Sequence, residues 1–525
     1  MSALVQPSRG GSFRAALRAE WTKFRTVRGW MIGLGFAALM VVLFTFLQAN
    51  GKHEGFCTTP NPSRCVAGHP RVPTGPGGEA VAASYELVAK RLTGAGTITA
   101  RVTSLVGRIW AGPANEAPSL ADTRPGLTSW AKAGLLITPS TSQGSSYAAV
   151  MATGGHGIRF QYDYTHDRAG LPELTTSTPP HWLRLTRAGD TITGYDSSDA
   201  TNWHRIGSAH LAGLPTTVYV GLFTTSPTTS GGLATQATAS FDHIATGPLA
   251  DYTAQAAPGA WHGASIGTGP HDYYPTLGDG RYRRAGDSIV VTGSGDIAPA
   301  VASAGGDTAS DSLLFGLVIA LIVLIVLGTM FITSEYRRSL IRTTFAATPD
   351  RGRVLAAKAV VIGGVAFAVG AVAAAAAIPI GEHVMSANGN YIFPADSLTV
   401  ARVIVGSGVL VALTAVAVLG VATILRRSAG AIVAGVVIFV LPTFTGPGIS
   451  GPTSSAGAAT WLYRVTPAAG FSMLGLLPRS GLVSYPYTMA NGYYPLPPWA
   501  GLLVLLAYAA VALGAARIVL RRRDA

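Results

Sequence analysis

Six apolar runs decide the environment of this chain before any other feature is considered. They cover residues 30–47, 313–332, 359–380, 403–425, 429–441 and 499–519 of 525. A helix of about 20 apolar residues spans the hydrocarbon core of a bilayer and satisfies its own backbone hydrogen bonds there. The run at 429–441 is the weakest, because Pro442 and Gly446 cut it short. Charged residues make up 12% of the chain, against about 25% in soluble proteins, and the deficit is concentrated in these runs. The sequence predicts an α-helical polytopic membrane protein with six transmembrane helices.

The formal net charge of +13 raises nucleic acid as a partner, and its distribution argues against one. Basic residues cluster in 1–28, in 334–358, at Arg426 and Arg427, and in the tail from Arg517 to Arg523. Residues 49–311 hold 17 basic and 19 acidic residues. The basic clusters abut apolar runs on alternate sides, the pattern of cations retained in the cytoplasm. Both termini are therefore expected in the cytoplasm of a cell that carries this chain in its plasma membrane. Residues 49–311 are expected outside, and no nucleic-acid partner is expected.

Residues 1–12 read as a disordered N-terminus. In 14–28, Leu17, Trp21 and Phe24 form an apolar stripe with Arg14, Arg18 and Arg25 largely off it, as in a helix lying in the membrane interface against lipid headgroups. The run at 30–47 suits a retained membrane helix better than a signal peptide, since no small-residue cleavage motif follows it immediately. Residues 13–48 thus form an interfacial helix and the first span. Residues 49–79 are a Pro/Gly-rich linker that carries the chain's two cysteines, Cys57 and Cys65. Outside the cell these are candidates for a small disulfide, with two unrelated thiols as the alternative.

From residue 80 the texture becomes short alternating segments between turn signals: TITARV (97–102), AGLLIT (133–138), SYAAVMA (146–152), GIRFQYDY (157–164), HWLRLTR (181–187), TITGYDS (191–197), TVYVGLF (217–223) and ATASFDHI (237–244). This spacing predicts an extracytoplasmic all-β sandwich over 80–247, with a hairpin at HWLRLTR-AGD-TITGYDS. Residues 248–311 read as a less regular β and loop region next to the membrane, with one further strand in DSIVVTGSGDIAP (287–299). Residues 312–525 hold the remaining five spans, and 461–477 is read as a helix pair that does not cross.

Three segments resemble the membrane-spanning permease subunits of type-2 export-family ATP-binding-cassette transporters: LRAEWTKFRTVRGW (17–30), FITSEYRRSLIRTTFAATPDRGRVLAAKAVV (331–361) and WLYRVTPAAGF (461–471). The long insert between the first two spans departs from many members of that family, which have a short loop there. The insert itself, through WAKAGLLIT, HWLRLTRAGDTITGYDSSDATNWHRIG and YVGLFTTS, resembles concanavalin-A-like and laminin-G-like jelly rolls, domains that bind glycans or serve as structural modules.

The pattern GxxxxGK[ST] that cradles nucleotide phosphates is absent, so this chain is not a Walker-type motor. The resemblance implies a separate cytoplasmic ATPase subunit that carries ATP and Mg, and a second permease copy or homologue as a dimer partner. It assigns Glu335, Tyr336, Arg337, Arg338 and Arg342, within a coupling loop at 334–358, to the ATPase contact, with Glu20 and Lys23 as secondary candidates. The alternative is that these groups only fix topology and contact anionic lipid. No cofactor on this chain, no catalytic set and no metal site are expected. Asp163, Asp167, Asp196 and Asp199 could gather around a cation, but aspartates in loops more often stabilise turns. Trp130, Trp182, Trp203 and Tyr195 are candidates for stacking on cell-wall glycan, and sandwich core is the alternative. The expected function is the permease subunit of an ATP-driven exporter. A membrane-tethered glycan-binding or sensor protein without transport activity is the second reading.

Overall fold

The computed structural model describes residues 12–51, 55–56, 66–67, 72–112, 118–171, 180–230, 232–247, 260–267, 277–278, 280–301, 306–307, 309–337, 340–347, 350–445, 456–476, 479–483 and 493–522. Most of the expected N-terminal tail, both cysteines, Arg338, and the side chains of Arg337 and Arg342 lie outside them.

The helices in chain order are α1 (Phe13–Thr26), α2 (Arg28–Gly51), α3 (Ala309–Arg337), α4 (Leu340–Ala347), α5 (Arg351–Ala387), α6 (Ser397–Leu425), α7 (Ser428–Phe439), α8 (Ala456–Val465) and α9 (Pro498–Arg522). Five are long and apolar enough to cross a membrane: α2, α3, α5, α6 and α9. The run at 429–441 forms α7, whose 12 residues rise only about 18 Å at 1.5 Å per residue. It continues into a 3-10 turn, Leu441–Thr445, where Pro442 sits. The stretch expected as a helix pair forms α8 followed by a 3-10 helix, Pro467–Leu474. The chain is thus a membrane protein by the length and composition of its helices, with a β domain inserted between α2 and α3.

Small residues let the spans approach closely. A Cβ on Gly316 of α3 would stand 2.4 Å from the Val41 carbonyl oxygen of α2, and one on Gly420 of α6 would stand 2.7 Å from the backbone of Ala512 in α9. The buried core of the bundle draws on α2, α3, α5, α6 and α9 together.

The inserted domain is a sandwich of two antiparallel sheets. One has seven strands in the order His166–Ala169, Ile158–Tyr162, Ala148–Thr153, Lys132–Thr138, Thr217–Thr225, Tyr85–Thr93 and His262–Ile266. The other runs His204–His210, Thr191–Ser197, His181–Ala188, Gly96–Trp110, Thr235–Gly247, Ser288–Gly293 and Arg281–Ala285, with Thr123–Pro125 paired to the long central strand. The hairpin expected at 181–197 is present, with Ala188 opposite Thr191 and Gly189 at φ 61° in its turn. Along His181–Ala188, Leu183 and Leu185 enter the core, while Trp182, Arg184 and Thr186 face outward, the two-residue period of a half-buried strand. Each sheet takes an edge strand from beyond residue 247.

A two-stranded ribbon, Val81–Ala83 with Ile297–Pro299, joins the sandwich to the helices. Val81, Ala83 and Ile297 pack on the outer face of the seven-stranded sheet, against Tyr85, Tyr147, Met151 and Phe223. Ala82 and Ala298 point the other way and pack with Phe393, Val483 and Tyr493 from the loops above the bundle. Inside this joint Lys132 donates to Asp296 Oδ1 at 2.7 Å and to the Ile297 carbonyl at 2.7 Å, with both side chains buried.

Candidate functional site at the helix ends opposite the β domain

α2 leaves the bundle into the β domain and α3 returns from it, so the C-terminal end of α3 and the N-terminal end of α5 lie at the opposite pole. Asp350 caps α5 by accepting from the Arg353 amide, which starts the helix eight residues before the apolar run. That early start carries Lys358 into the packed bundle on the second turn.

Lys358 Nζ donates to Glu20 Oε2 at 2.6 Å and to Glu335 Oε1 at 2.7 Å. Lys23 Nζ reaches the same two residues, Glu20 at 2.9 Å and Glu335 at 3.2 Å, and also Thr344 Oγ1 of α4 at 3.2 Å. Two lysines and two glutamates thus close a charge-neutral ring that ties α1, α3, α4 and α5 together. Lys358 is 0% exposed, Glu20 2% and Glu335 8%, so the ring is turned inward, with Lys23 on its rim. Half-burial pulls the Lys23 ammonium down, and the bonds and charges of Glu20 and Glu335 together outweigh it, so its pKa rises above the ordinary lysine value. Glu335 Oε2 has no hydrogen-bond donor among the described residues.

An aromatic cluster roofs the ring. Phe24 meets Phe331 edge-on at 5.6 Å, Trp30 meets Phe331 at 6.0 Å, and the Lys358 ammonium lies 4.7 Å from the Phe331 ring centre. These contacts keep water away and strengthen the pairing. Beside it the Arg426 guanidinium stands over the Tyr336 ring at 5.3 Å, and Arg351 donates to the Leu520 carbonyl of α9 at 2.7 Å.

Of the residues assigned to an ATPase contact, Glu20, Lys23 and Glu335 come together here, and Tyr336 adjoins them under Arg426. Lys358 was not singled out from sequence. Its signal was a lone lysine at the border of an apolar run, a position that demands a buried partner.

In the β domain, Trp182, Tyr195 and Trp203 share the outer face of the eight-stranded sheet, where Arg184 pairs in register with Tyr195. The Arg184 guanidinium covers the Trp203 ring at 3.8 Å, and Arg101 lies 5.5 Å from Trp182. Trp130 is apart from them, buried, and stacked on His156 at 4.0 Å. The four aspartates do not converge, and no metal-binding group of three or more His, Cys, Asp or Glu occurs among the described residues. Asp163 accepts from Ser146, Asp167 pairs with Arg159, and Asp196 bonds His204. The Asn202 and Thr201 amides hold the Asp199 carboxyl well below the usual carboxylate range.

No family model and no curated protein matches the chain. Solved structures overlap it only weakly. A functionally unknown protein from Saccharomyces cerevisiae aligns at 16% identity and a TM-score of 0.20, over 31% of this chain and 73% of that one. Scytalido-glutamic peptidase, solved with a peptide-based transition-state analogue, aligns at 10% identity and a TM-score of 0.23, over 40% of this chain and 98% of that one.

Proposed function

We propose that this chain is the permease subunit of an ATP-driven exporter, energised by a separate ATPase and paired with a second copy or a homologue. The observation that carries the reading is the buried ring of Glu20, Lys23, Glu335 and Lys358. It fastens the interfacial helix and α4 to two spans at the pole where basic residues gather. A push on that pole therefore moves α3 and α5 as one body, as coupling to an outside motor requires. In this reading the basic pole is cytoplasmic and the sandwich lies outside. The α7 run with the 3-10 turn that follows it then supplies the fifth of six passes, and the charged residues of 334–358 touch the motor while Glu20 and Glu335 transmit.

A membrane-tethered glycan-binding protein is the second reading, favoured by the aromatic outer face of the eight-stranded sheet. Affinity capture of the detergent-solubilised full chain from its native membrane, with mass spectrometry of its companions, separates the two. Recovery of an ATPase with a phosphate-binding loop, lost on Arg338→Ala with Arg342→Ala while the chain stays folded, supports the exporter. Reproducible capture without any ATPase rejects it.

A further inference from the structure

Where the bundle meets the β domain, a cavity of about 500 Å³ opens between the start of α6, the 3-10 helix at Pro467–Leu474 and the start of α9. Ligand pockets run from about 300 to 1,000 Å³. Its wall includes Thr399, Arg402, Ser472, Arg479, Tyr493 and Pro498, and none of its lining residues is acidic. Two guanidiniums thus face one cavity without a carboxylate in its lining.

Two donors here, on Arg402 and Ser472, are unused among the described residues. Arg402 donates through Nη2 to the Gly475 carbonyl, but its Nε is buried with no acceptor among the described residues. Ser472 is 1% exposed, and its Oγ is likewise buried with no partner among the described residues. Arg479 donates to the Tyr494 carbonyl at 3.2 Å. An orphaned buried donor is destabilising, more so when charged, so two such atoms in the wall of one cavity call for an acceptor. Pro498 is the first residue of α9, so the positive end of that helix dipole adds to the same field, whereas the α6 end is capped by Asp396. The remaining wall is apolar, from Leu476 and Leu496 to the prolines.

We infer that this cavity binds an anionic amphiphile, a phosphate or carboxylate held by Arg402, Arg479 and Ser472 with its apolar body against the proline wall. Tyr493 lines the cavity and also packs in the joint beneath the ribbon, so the ligand sits against the contact that holds the sandwich to the bundle. The inference is independent of the exporter reading, because it needs neither an ATPase nor a direction of transport.

The test uses the full chain in a neutral detergent, titrated calorimetrically with short-chain phosphatidylglycerol, short-chain phosphatidylcholine and inorganic phosphate. Preference for phosphatidylglycerol over phosphatidylcholine is expected. Binding of the lipid alone marks a lipid headgroup site, and binding of inorganic phosphate as well marks a general phosphate site. Arg402→Gln and Arg479→Gln should each weaken binding by about tenfold or more, the effect of one lost charge-assisted hydrogen bond. Arg91→Gln on the β domain should leave it unchanged. If Arg402→Gln fails to fold for want of its bond to Gly475, Arg479→Gln and Ser472→Ala decide. No binding by any probe, equal binding of the two lipids, or unaltered affinity in the folded variants overturns the inference.

Discussion

Lys358 Nζ lies 2.6 Å from Glu20 Oε2, a residue 338 positions earlier in the chain. The contact closes the lead-in helix α1 onto α5 and encloses an ammonium that has no access to water. Replacing Lys358 by Met leaves two buried carboxylates facing only Lys23. Breaking a buried pair from one side costs about 3–5 kcal/mol, whereas apolar replacement of the whole set is often near neutral. Lys358→Met should therefore unfold far earlier in detergent melts, and the triple variant with Glu20→Met and Glu335→Met should regain most of the loss. A single variant that melts with the wild type would show that the ring does not hold the helices.

The close approach of α2 and α3 gives a second expectation. Gly316→Ala directs a methyl group at the Val41 carbonyl, which as backbone cannot swing aside. Overpacking of this kind costs about 1–3 kcal/mol. Gly364 of α5 has nothing within 4 Å of where a Cβ would stand, so Gly364→Ala should be neutral or mildly stabilising through helix propensity. Melting the two variants side by side checks whether the glycines serve packing or merely accompany an alanine-rich composition. Equal melting temperatures would favour composition.

These contacts also show what the sequence could and could not disclose. The apolar runs and the alternation in HWLRLTR and TITGYDS are local signals; five of the six runs and both strands produced the elements expected of them, and the run at 429–441 gave only the short α7. Tyr85–Thr93 was passed over because its first five residues are buried on both faces, so period two disappears. The segment at 287–299 read as one strand, but Gly295 at φ 101° breaks it into two. Its second half leaves the sheet for the ribbon. At the candidate site, Glu20, Lys23 and Glu335 were legible as charges beside apolar runs. Their enclosure with Lys358 was not, since no local pattern encodes a contact across the β insert.

The ribbon itself can be tested through Lys132 and Asp296. Burial raises the Asp296 pKa despite the opposing pull of Lys132, and Lys132 bonds the ribbon carbonyl of Ile297 as well. Lys132→Met strands a buried carboxylate and removes the donor that seats the ribbon on the sheet, at a cost of about 3–5 kcal/mol. Because the other side of the ribbon holds Phe393 and Tyr493, amide hydrogen exchange should accelerate at 81–83 and 297–298 together. Faster exchange elsewhere in the sandwich, with the ribbon still protected, would contradict this role.

The last expectation concerns pH. Burial, then the charges of Arg159 and Lys132, lower the His156 pKa from its ordinary value near 6.5. The unfolded chain therefore binds a proton at this position before the folded one does. By linkage, stability is lost as pH falls from about 6.5 through the lower folded value, and it is fully present above 6.5. His156 stacks on Trp130 at 4.0 Å, so Trp130 contributes the site's signal to the emission of the nine indoles. The thermal midpoint followed by tryptophan emission should fall between pH 7.5 and pH 5 in the wild type. His156→Phe keeps an aromatic partner for Trp130 and removes the titrating group, so its midpoint should fall less over the same interval. Parallel curves for the two proteins would place the acid sensitivity elsewhere in the chain.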